Sequence, residues 1–153
     1  MHHYFGTKDQ LFLATVAAPI DPTAVVDRLI AGRRDDLGRR LIETILGIWD
    51  SEAGQSLAAV LRTVLADPAA TRSMQEFIGM QVVGRIMEAV DVPDDRERRA
   101  ALVASHVLGV IVGRYLMRLE SLVAVSTADL VASIGPTLQR YLTDPLPPRA
   151  GHG

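Results

Sequence analysis

Few residues of this chain are of types that could do acid–base, nucleophilic or metal chemistry. The sequence has no cysteine and four histidines, of which only His106 lies inside a long apolar stretch. Helical carboxylate-bridged metal enzymes place a Glu three residues before a His, and here that position is Val103. The sequence also lacks a Gly-rich phosphate loop and a Gly-x-Ser-x-Gly nucleophile elbow. These observations predict a protein that is not an enzyme and has no cofactor and no metal ion.

A second group of side chains is suited to binding rather than to reaction. His106 could be the polar anchor of a ligand pocket, although a core histidine bonded to a neighbouring group is the simpler interpretation, and proton transfer is a third. Aromatic and thioether side chains on the middle helices suit an adaptable apolar pocket, but each suits plain core packing better. The candidate pocket residues are Trp49, Phe77, Met80, Gln81 and His106.

Composition favours a helical body filled with aliphatic side chains. Hydrophobic residues make up 48% of the 153 residues and aromatic residues only 5%, and the formal net charge is -2. One domain of this length can bury a sizeable core. A free-standing nucleic-acid-binding protein would usually present an excess of basic residues. This balance therefore predicts that any DNA contact is local or lies elsewhere in a complete protein.

Capping residues followed by helical spacing of apolar side chains mark the start of successive helices. Asp21-Pro22 and Asp67-Pro68 each combine a capping residue with a proline at the first helical position, and residues 126–129 form a capping box. No stretch alternates in the manner of a strand, so the predicted fold class is all-α. The predicted helices cover residues 7–18, 22–31, 33–49, 57–65, 68–90, 94–122 and 127–142.

Two stretches could be mistaken for functional signals. Residues 33–40 form a charge run, and on a helix Asp35 would pair with Arg39, which favours a solvated face over a phosphate-binding patch. Residues 100–117 reach the lower length limit for a membrane span, but they contain the ionisable residues His106 and Arg114, which favours a buried helix. No signal peptide is visible, and we expect a cytoplasmic protein without a membrane partner.

Residues 3–11, His-Tyr-Phe-Gly-Thr-Lys-Asp-Gln-Leu, resemble the segment that closes the helix-turn-helix head in the tetracycline-repressor (TetR) family of transcriptional regulators. In that family a tyrosine, a second aromatic residue, a short turn and a lysine stand at this point. Residues 98–105, 113–115 and 135–142 are similar to the regulatory domain of one branch of the family. The two motifs occur in the family's order and frame nearly the whole chain.

The resemblance implies two parts and a role for the first of them. Residues 1–18 would be the remnant of the head and residues 19–143 the regulatory and dimerisation domain. Residues 144–153 contain three prolines and two glycines, which predicts a disordered tail. A phenol and an ammonium group can position a protein on a DNA backbone without reading bases. In a complete protein the expected phosphate contacts are His3, Tyr4 and Lys8, and the alternative is that Tyr4, like Phe5, only packs the head against the body. Operator DNA is an expected partner only where the rest of the head is present.

The resemblance further implies a homodimeric repressor. A small, unidentified apolar effector would favour a body conformation in which the two heads no longer match two DNA half-sites. The predicted helices 94–122 and 127–142 would pair with their copies across a two-fold axis. The predicted interface residues are Leu108, Val112, Leu116, Leu119, Leu130, Ile134 and Leu138. The alternative is a headless dimerising or ligand-sensing protein that does not itself bind DNA.

Overall fold

The computed structural model describes residues 21–92 and 94–151, and within these ranges the chain consists of helices, turns and coil without a strand. The helices are α1 (Pro22–Ala31), α2 (Leu37–Asp50), α3 (Ala53–Leu65), α4 (Pro68–Ile78), α5 (Gly84–Val90), α6 (Arg96–Ile111), α7 (Glu120–Val123) and α8 (Thr127–Thr143). A 3-10 turn, Arg34–Asp36, precedes α2. Two π-helical segments, Gly79–Val83 and Val112–Leu116, join α4 to α5 and extend α6. The all-α fold class is confirmed.

Three helix starts follow the capping predictions. Asp21 and Asp67 each accept a hydrogen bond, at 3.0 Å, from the backbone N–H two residues later, and each is followed by a proline. The Ser126 hydroxyl accepts from the backbone N–H of Asp129 at 3.1 Å. Each of these side chains satisfies an N–H that has no partner within its own helix, and local sequence was therefore enough to predict these three boundaries.

The long apolar helix ends earlier than its composition predicts. Its π-helical extension stops at Leu116, and Arg118 adopts a left-handed conformation with φ of 54°. The chain then turns back, and the Leu119 N–H donates to the Gly113 carbonyl at 2.9 Å. A Cβ added at Gly113 would lie 2.8 Å from the Leu122 side chain. The absence of a side chain at Gly113 lets α7 fold against α6, and the prediction of one helix to residue 122 was wrong.

The core of the body lies between α1, α2, α5, α6 and α8, and the contact between α2 and α8 is its most extensive. A Cβ added at Gly38 would lie 2.5 Å from the Gly135 carbonyl oxygen, so the two backbones meet almost directly. The Gln139 side chain accepts a hydrogen bond from the Gly38 N–H at 2.7 Å and donates to the Arg34 carbonyl at 2.9 Å. Gln139 thus caps the start of α2 from a helix about a hundred residues later.

The charge run of residues 33–40 does not form the predicted ion pair between Asp35 and Arg39. Arg39 pairs with Glu43 at 3.0 Å, one turn further along α2. The Arg40 guanidinium donates to the carbonyls of Leu29 and Arg33 at the end of α1. The reason is that residues 34–36 are a 3-10 turn rather than part of the α-helix. The charged residues therefore stabilise the turn between α1 and α2 in addition to facing solvent.

Residues 144–151 have no helix or strand, but two of them contact the start of α6. Arg149 pairs with the Asp95 carboxylate at 2.9 Å, and Arg98 donates to the Pro147 carbonyl and to Asp95. The predicted domain boundaries, including that of a disordered tail, stay predictions. His3, Tyr4, Lys8 and the predicted helix 7–18 lie outside the described residues.

Candidate functional site

A groove of about 380 Å³ opens beside His106 on the surface of the body. Its walls come mainly from α6, where Gly109 lies four residues after Ser105 and three residues after His106 and therefore lies on the same side of the helix as each of them. Val110 and Leu122 add apolar surface from α6 and α7. The groove is mostly apolar and remains open to solvent on one side. Its lining is apolar apart from the Ser105 hydroxyl and the His106 ring.

His106 is the principal polar group of this groove. Its ring meets the ring of Tyr141, on α8, edge to face with 5.1 Å between centroids. Neither imidazole nitrogen has a hydrogen-bond partner within residues 21–92 and 94–151. The Ser105 hydroxyl cannot donate a further hydrogen bond to a ligand, because it already donates to the Leu102 carbonyl at 2.9 Å. An incoming molecule with one polar group would therefore meet an available imidazole.

The other four candidate pocket residues do not join this groove. Trp49 is half-buried at the end of α2, and Phe77 is half-buried on α4. Met80 and Gln81 lie on the first π-helical segment, where both are exposed and the Met80 side chain is 74% exposed. Helical spacing placed these residues on middle helices correctly, but it did not show which side of each helix the neighbours would cover. The ligand-pocket prediction as a set remains a prediction.

Trp49 belongs instead to a cluster that the sequence did not suggest. Its ring lies 5.4 Å from the ring of Tyr115, on the second π-helical segment. The Tyr115 hydroxyl donates to one Asp50 oxygen at 2.7 Å, and the Thr127 hydroxyl donates to the other at 3.1 Å. Burial and the neighbouring Asp50 carboxylate raise the pKa of Tyr115 to about 12, against an opposing effect of Arg114. The cluster joins α2, α6 and α8, and it places no reactive group in a cavity.

Apolar side chains of α6 and of the turn that follows remain uncovered. Leu108 and Leu119 are 45% and 46% exposed, and Met117 is 64% exposed. Only 28% of the most apolar 18-residue stretch in Arg96–Leu116 is buried. The expectation of a buried helix therefore does not hold for this stretch in the single chain. Contiguous exposed apolar patches are typical of interaction surfaces.

The seven predicted interface residues divide into two groups. Leu108 and Leu119 are exposed, and Val112, Leu116 and Ile134 are half-buried. Leu130 and Leu138 are 4% and 0% exposed and belong to the core, so they offer almost no surface to a second molecule. The reason is that α8 lies against α2 on the side that carries these two leucines, which the spacing within α8 alone did not reveal.

The exposed side of α8 carries small residues between two opposite charges. Ala132, Ser133 and Pro136 lie along one stripe, with Asp129 near the start of the helix and Arg140 towards its end. Asp129 and Arg140 are eleven positions apart, which is about 16 Å along the helix. Neither side chain has an ion-pair partner within the described ranges. The stripe lies on the helix that packs beside α6.

A metal site and a membrane-spanning helix can each be checked from residue types and helix length. Residues 21–92 and 94–151 contain no group of three or more His, Cys, Asp or Glu residues that could hold a metal ion. In the same ranges, Arg96–Leu116 is the one helix long and apolar enough to cross a membrane. Core helices of water-soluble proteins pass this test too, and a membrane location is not indicated.

Comparison with known proteins identifies the fold and the family. Residues 35–142 match the family model described as "Tetracyclin repressor-like, C-terminal domain". The structure resembles the crystal structure of a TetR-family regulator from Streptomyces coelicolor A3, with a TM-score of 0.60 and 24% sequence identity. The likeness covers 92% of this chain and 73% of that one. No curated protein matches the chain significantly. Because the family model spans most of its length, the chain belongs to the tetracycline-repressor-like family of transcriptional regulators.

Proposed function

We propose that this chain is the effector-sensing and dimerisation body of a transcriptional repressor. The observation that supports this most directly is the uncovered face formed by α6 and α8. Leu108 on α6 and the small residues of the α8 stripe lie on two helices that pack side by side. A face of this kind in a regulator without a membrane-spanning role is best covered by another protein surface.

A second copy of the chain is the occupant that the α8 stripe favours. In a two-fold interface, residue i of one subunit contacts residue j of the other, and j contacts i. If the two α8 helices cross antiparallel midway between Ser133 and Pro136, Asp129 of each subunit comes opposite Arg140 of the other, since both are displaced from that centre by the same number of positions. The small residues between them allow the helices to approach closely. The surface is therefore complementary to itself.

Effector sensing is supported by the groove beside His106. A small apolar molecule bound there would contact α6 and α7 and lie close to Tyr141 on α8. The same helices would form the dimer face, so a change at the groove is transmitted to the relative position of the subunits. In a protein with a complete helix-turn-helix head, that position sets the spacing of the two recognition helices on DNA. His3, Tyr4 and Lys8 would then contact phosphates, and effector binding would release the operator.

Sedimentation velocity at micromolar concentration tests the dimer. We expect the unmodified chain to sediment as a dimer. Ala132→Arg should shift it to a monomer, because a long charged side chain would be placed between the two α8 helices where the small residues let them approach closely. The matched control is Ala59→Arg, at an exposed position on α3, which should remain dimeric. A monomer at all accessible concentrations, or an Ala132→Arg protein that is still a dimer, would contradict the proposed face.

A further inference from the structure

The groove beside His106 and the proposed dimer face share part of their surface. Ser105 and Gly109 line the groove and are themselves exposed on the outer side of α6, next to Leu108. We propose that a second copy of the chain closes this groove, so that the effector is held between two subunits and only the dimer has a complete site. This inference rests on the dimer proposed above and adds to it the location and regulation of the effector site.

The shape of the groove in the single chain supports this arrangement. Its volume of about 380 Å³ is in the range of small-molecule sites, which typically run from ~300 to ~1,000 Å³. Such sites bury most of the ligand surface, whereas this groove has walls on one side only. A Cβ added at Gly109 would have no other atom within 4 Å, so the space beside that residue is empty in the single chain. A second copy of the chain seated on the proposed dimer face would supply the missing walls.

The lining determines the class of molecule. Val110 and Leu122 present apolar surface, and Gly109 leaves room against the helix backbone. His106 supplies a ring nitrogen with no partner in the described part of the chain, held in position by the Tyr141 ring. A neutral imidazole can donate one hydrogen bond. The site is therefore suited to a small apolar molecule that carries one hydrogen-bond-accepting group, such as a carboxylate or sulfonate.

A site that exists only in the dimer links binding to association. A ligand that binds only one state stabilises that state by mass action, and the coupling is reciprocal. A two-fold dimer contains two copies of the groove. With two independent sites and a ligand at ten times its dissociation constant, the dimer dissociation constant should fall about 120-fold. A site complete within one subunit predicts no change of this kind.

The experiment uses 8-anilino-1-naphthalenesulfonate (ANS), an aromatic molecule with one anionic group, as the probe. Its saturable binding is followed by fluorescence, and the dimer dissociation constant is measured by analytical ultracentrifugation with and without ANS. For the unmodified chain we expect ANS at ten times its dissociation constant to tighten the dimer about 120-fold.

Two variants separate the polar anchor from the covering subunit. His106→Leu keeps an apolar group of similar size but removes the hydrogen bond, and we expect ANS to bind about tenfold more weakly. At the same ANS concentration, the ratio of dimer dissociation constants without and with ANS should then fall to about 4. Ala132→Arg, which leaves every groove residue intact, should abolish saturable binding, and Ala59→Arg should behave as the unmodified chain.

The possible failures can be told apart. Saturable ANS binding that His106→Leu weakens but that leaves the dimer constant unchanged would place the site within one subunit and overturn this inference, while the proposed dimer stands. Unchanged binding in His106→Leu, or no saturable binding to the unmodified dimer, would overturn the assignment of the groove. A chain that stays monomeric would overturn the proposed dimer first, and the inference with it.

Discussion

Two regions of this body are held together in different ways. In the frame formed by α2 and α8, the backbones meet at Gly38 and Gly135, and Leu138 is completely buried. The hairpin formed by α3 and α4 has a small core of its own around Val60 and Val64. The frame excludes almost any relative movement, because backbone atoms are already in contact, whereas the hairpin can shift while losing few buried contacts.

The difference indicates where the body can respond to a ligand. Close-packed interiors resist deformation, so α2 and α8 would move as one unit. The hairpin leads into the π-helical segment Gly79–Val83, whose residues are not buried, and Arg62 joins α3 to the end of the long helix through the Leu116 carbonyl at 3.1 Å. We expect low-energy openings to begin in the hairpin rather than in the frame.

The largest expected effect comes from removing a matched leucine in each region. Leu138→Ala in the frame should lower the free energy of unfolding by about 4 kcal/mol, because the surrounding helices cannot close over the cavity. Leu61→Ala in α3, where the side chain is 7% exposed, should cost about 2 kcal/mol. Urea denaturation measures both. Equal losses would show that the two regions are packed with the same rigidity.

Hydrogen exchange of the same two variants shows whether each loss of stability is global or local. We expect Leu138→Ala to raise exchange throughout the body, since unfolding of the frame is global, and Leu61→Ala to raise it mainly in α3 and α4. Uniform exchange in both variants would mean that the hairpin and frame unfold as one cooperative unit.

A glycine pair within α2 tests the close backbone contact. Gly38→Ala should cost about 3 kcal/mol, because its Cβ would lie 2.5 Å from two backbone atoms of α8 and force the helices apart. Gly47→Ala is the control in the same helix, since a Cβ there has nothing within 4 Å. It should instead stabilise the protein by about 0.5 to 1 kcal/mol, as Ala is the better helix former. Thermal unfolding of both proteins gives the comparison.

The smallest effect is expected at the border of the two regions. Tyr115→Phe removes the hydrogen bond to Asp50 and should cost about 0.5 to 1 kcal/mol near neutral pH. The pKa of Tyr115 is raised to about 12 from its ordinary value of 10.0, so folding favours the neutral phenol. The contribution of this group to stability should be complete below pH 10 and be lost as the pH rises towards 12.

Absorbance at 295 nm follows the titration directly. The difference between the unmodified chain and Tyr115→Phe should show a phenolate with a midpoint near 12 in the folded protein and near 10 in urea. A midpoint near 10 in both conditions would mean that neither the burial of Tyr115 nor its contact with Asp50 persists in solution.

Sequence was a good guide where a structural signal is local. The Asp-Pro starts of α1 and α4 and the Ser126 cap needed only residues within three positions of one another, and all three were predicted. The early end of the long helix was not, because Arg118 is no helix breaker and its left-handed turn depends on Leu122 packing onto Gly113. The two π-helical segments likewise have no signal in residue type alone.

In the candidate site, too, sequence identified the local feature and missed the features that depend on tertiary packing. His106 was identified from sequence because an ionisable side chain in an apolar helix is unusual. Its neighbour Tyr141 was missed as part of the site, since 35 residues separate them and only the packing of α8 on α6 brings the rings together. Gln139 was missed for the same reason, although it caps a helix.

By itself, the sequence determined the all-helical fold, most helix boundaries and the absence of any cysteine chemistry. These follow from propensity, capping and a period of 3.6 residues, which act within a few positions of the chain. Only the tertiary structure decided which apolar side of each helix is covered, leaving Leu108 exposed and Leu138 buried. The physical reason is that periodicity sets the angle of a side chain around its helix, whereas burial depends on which other helix occupies that angle.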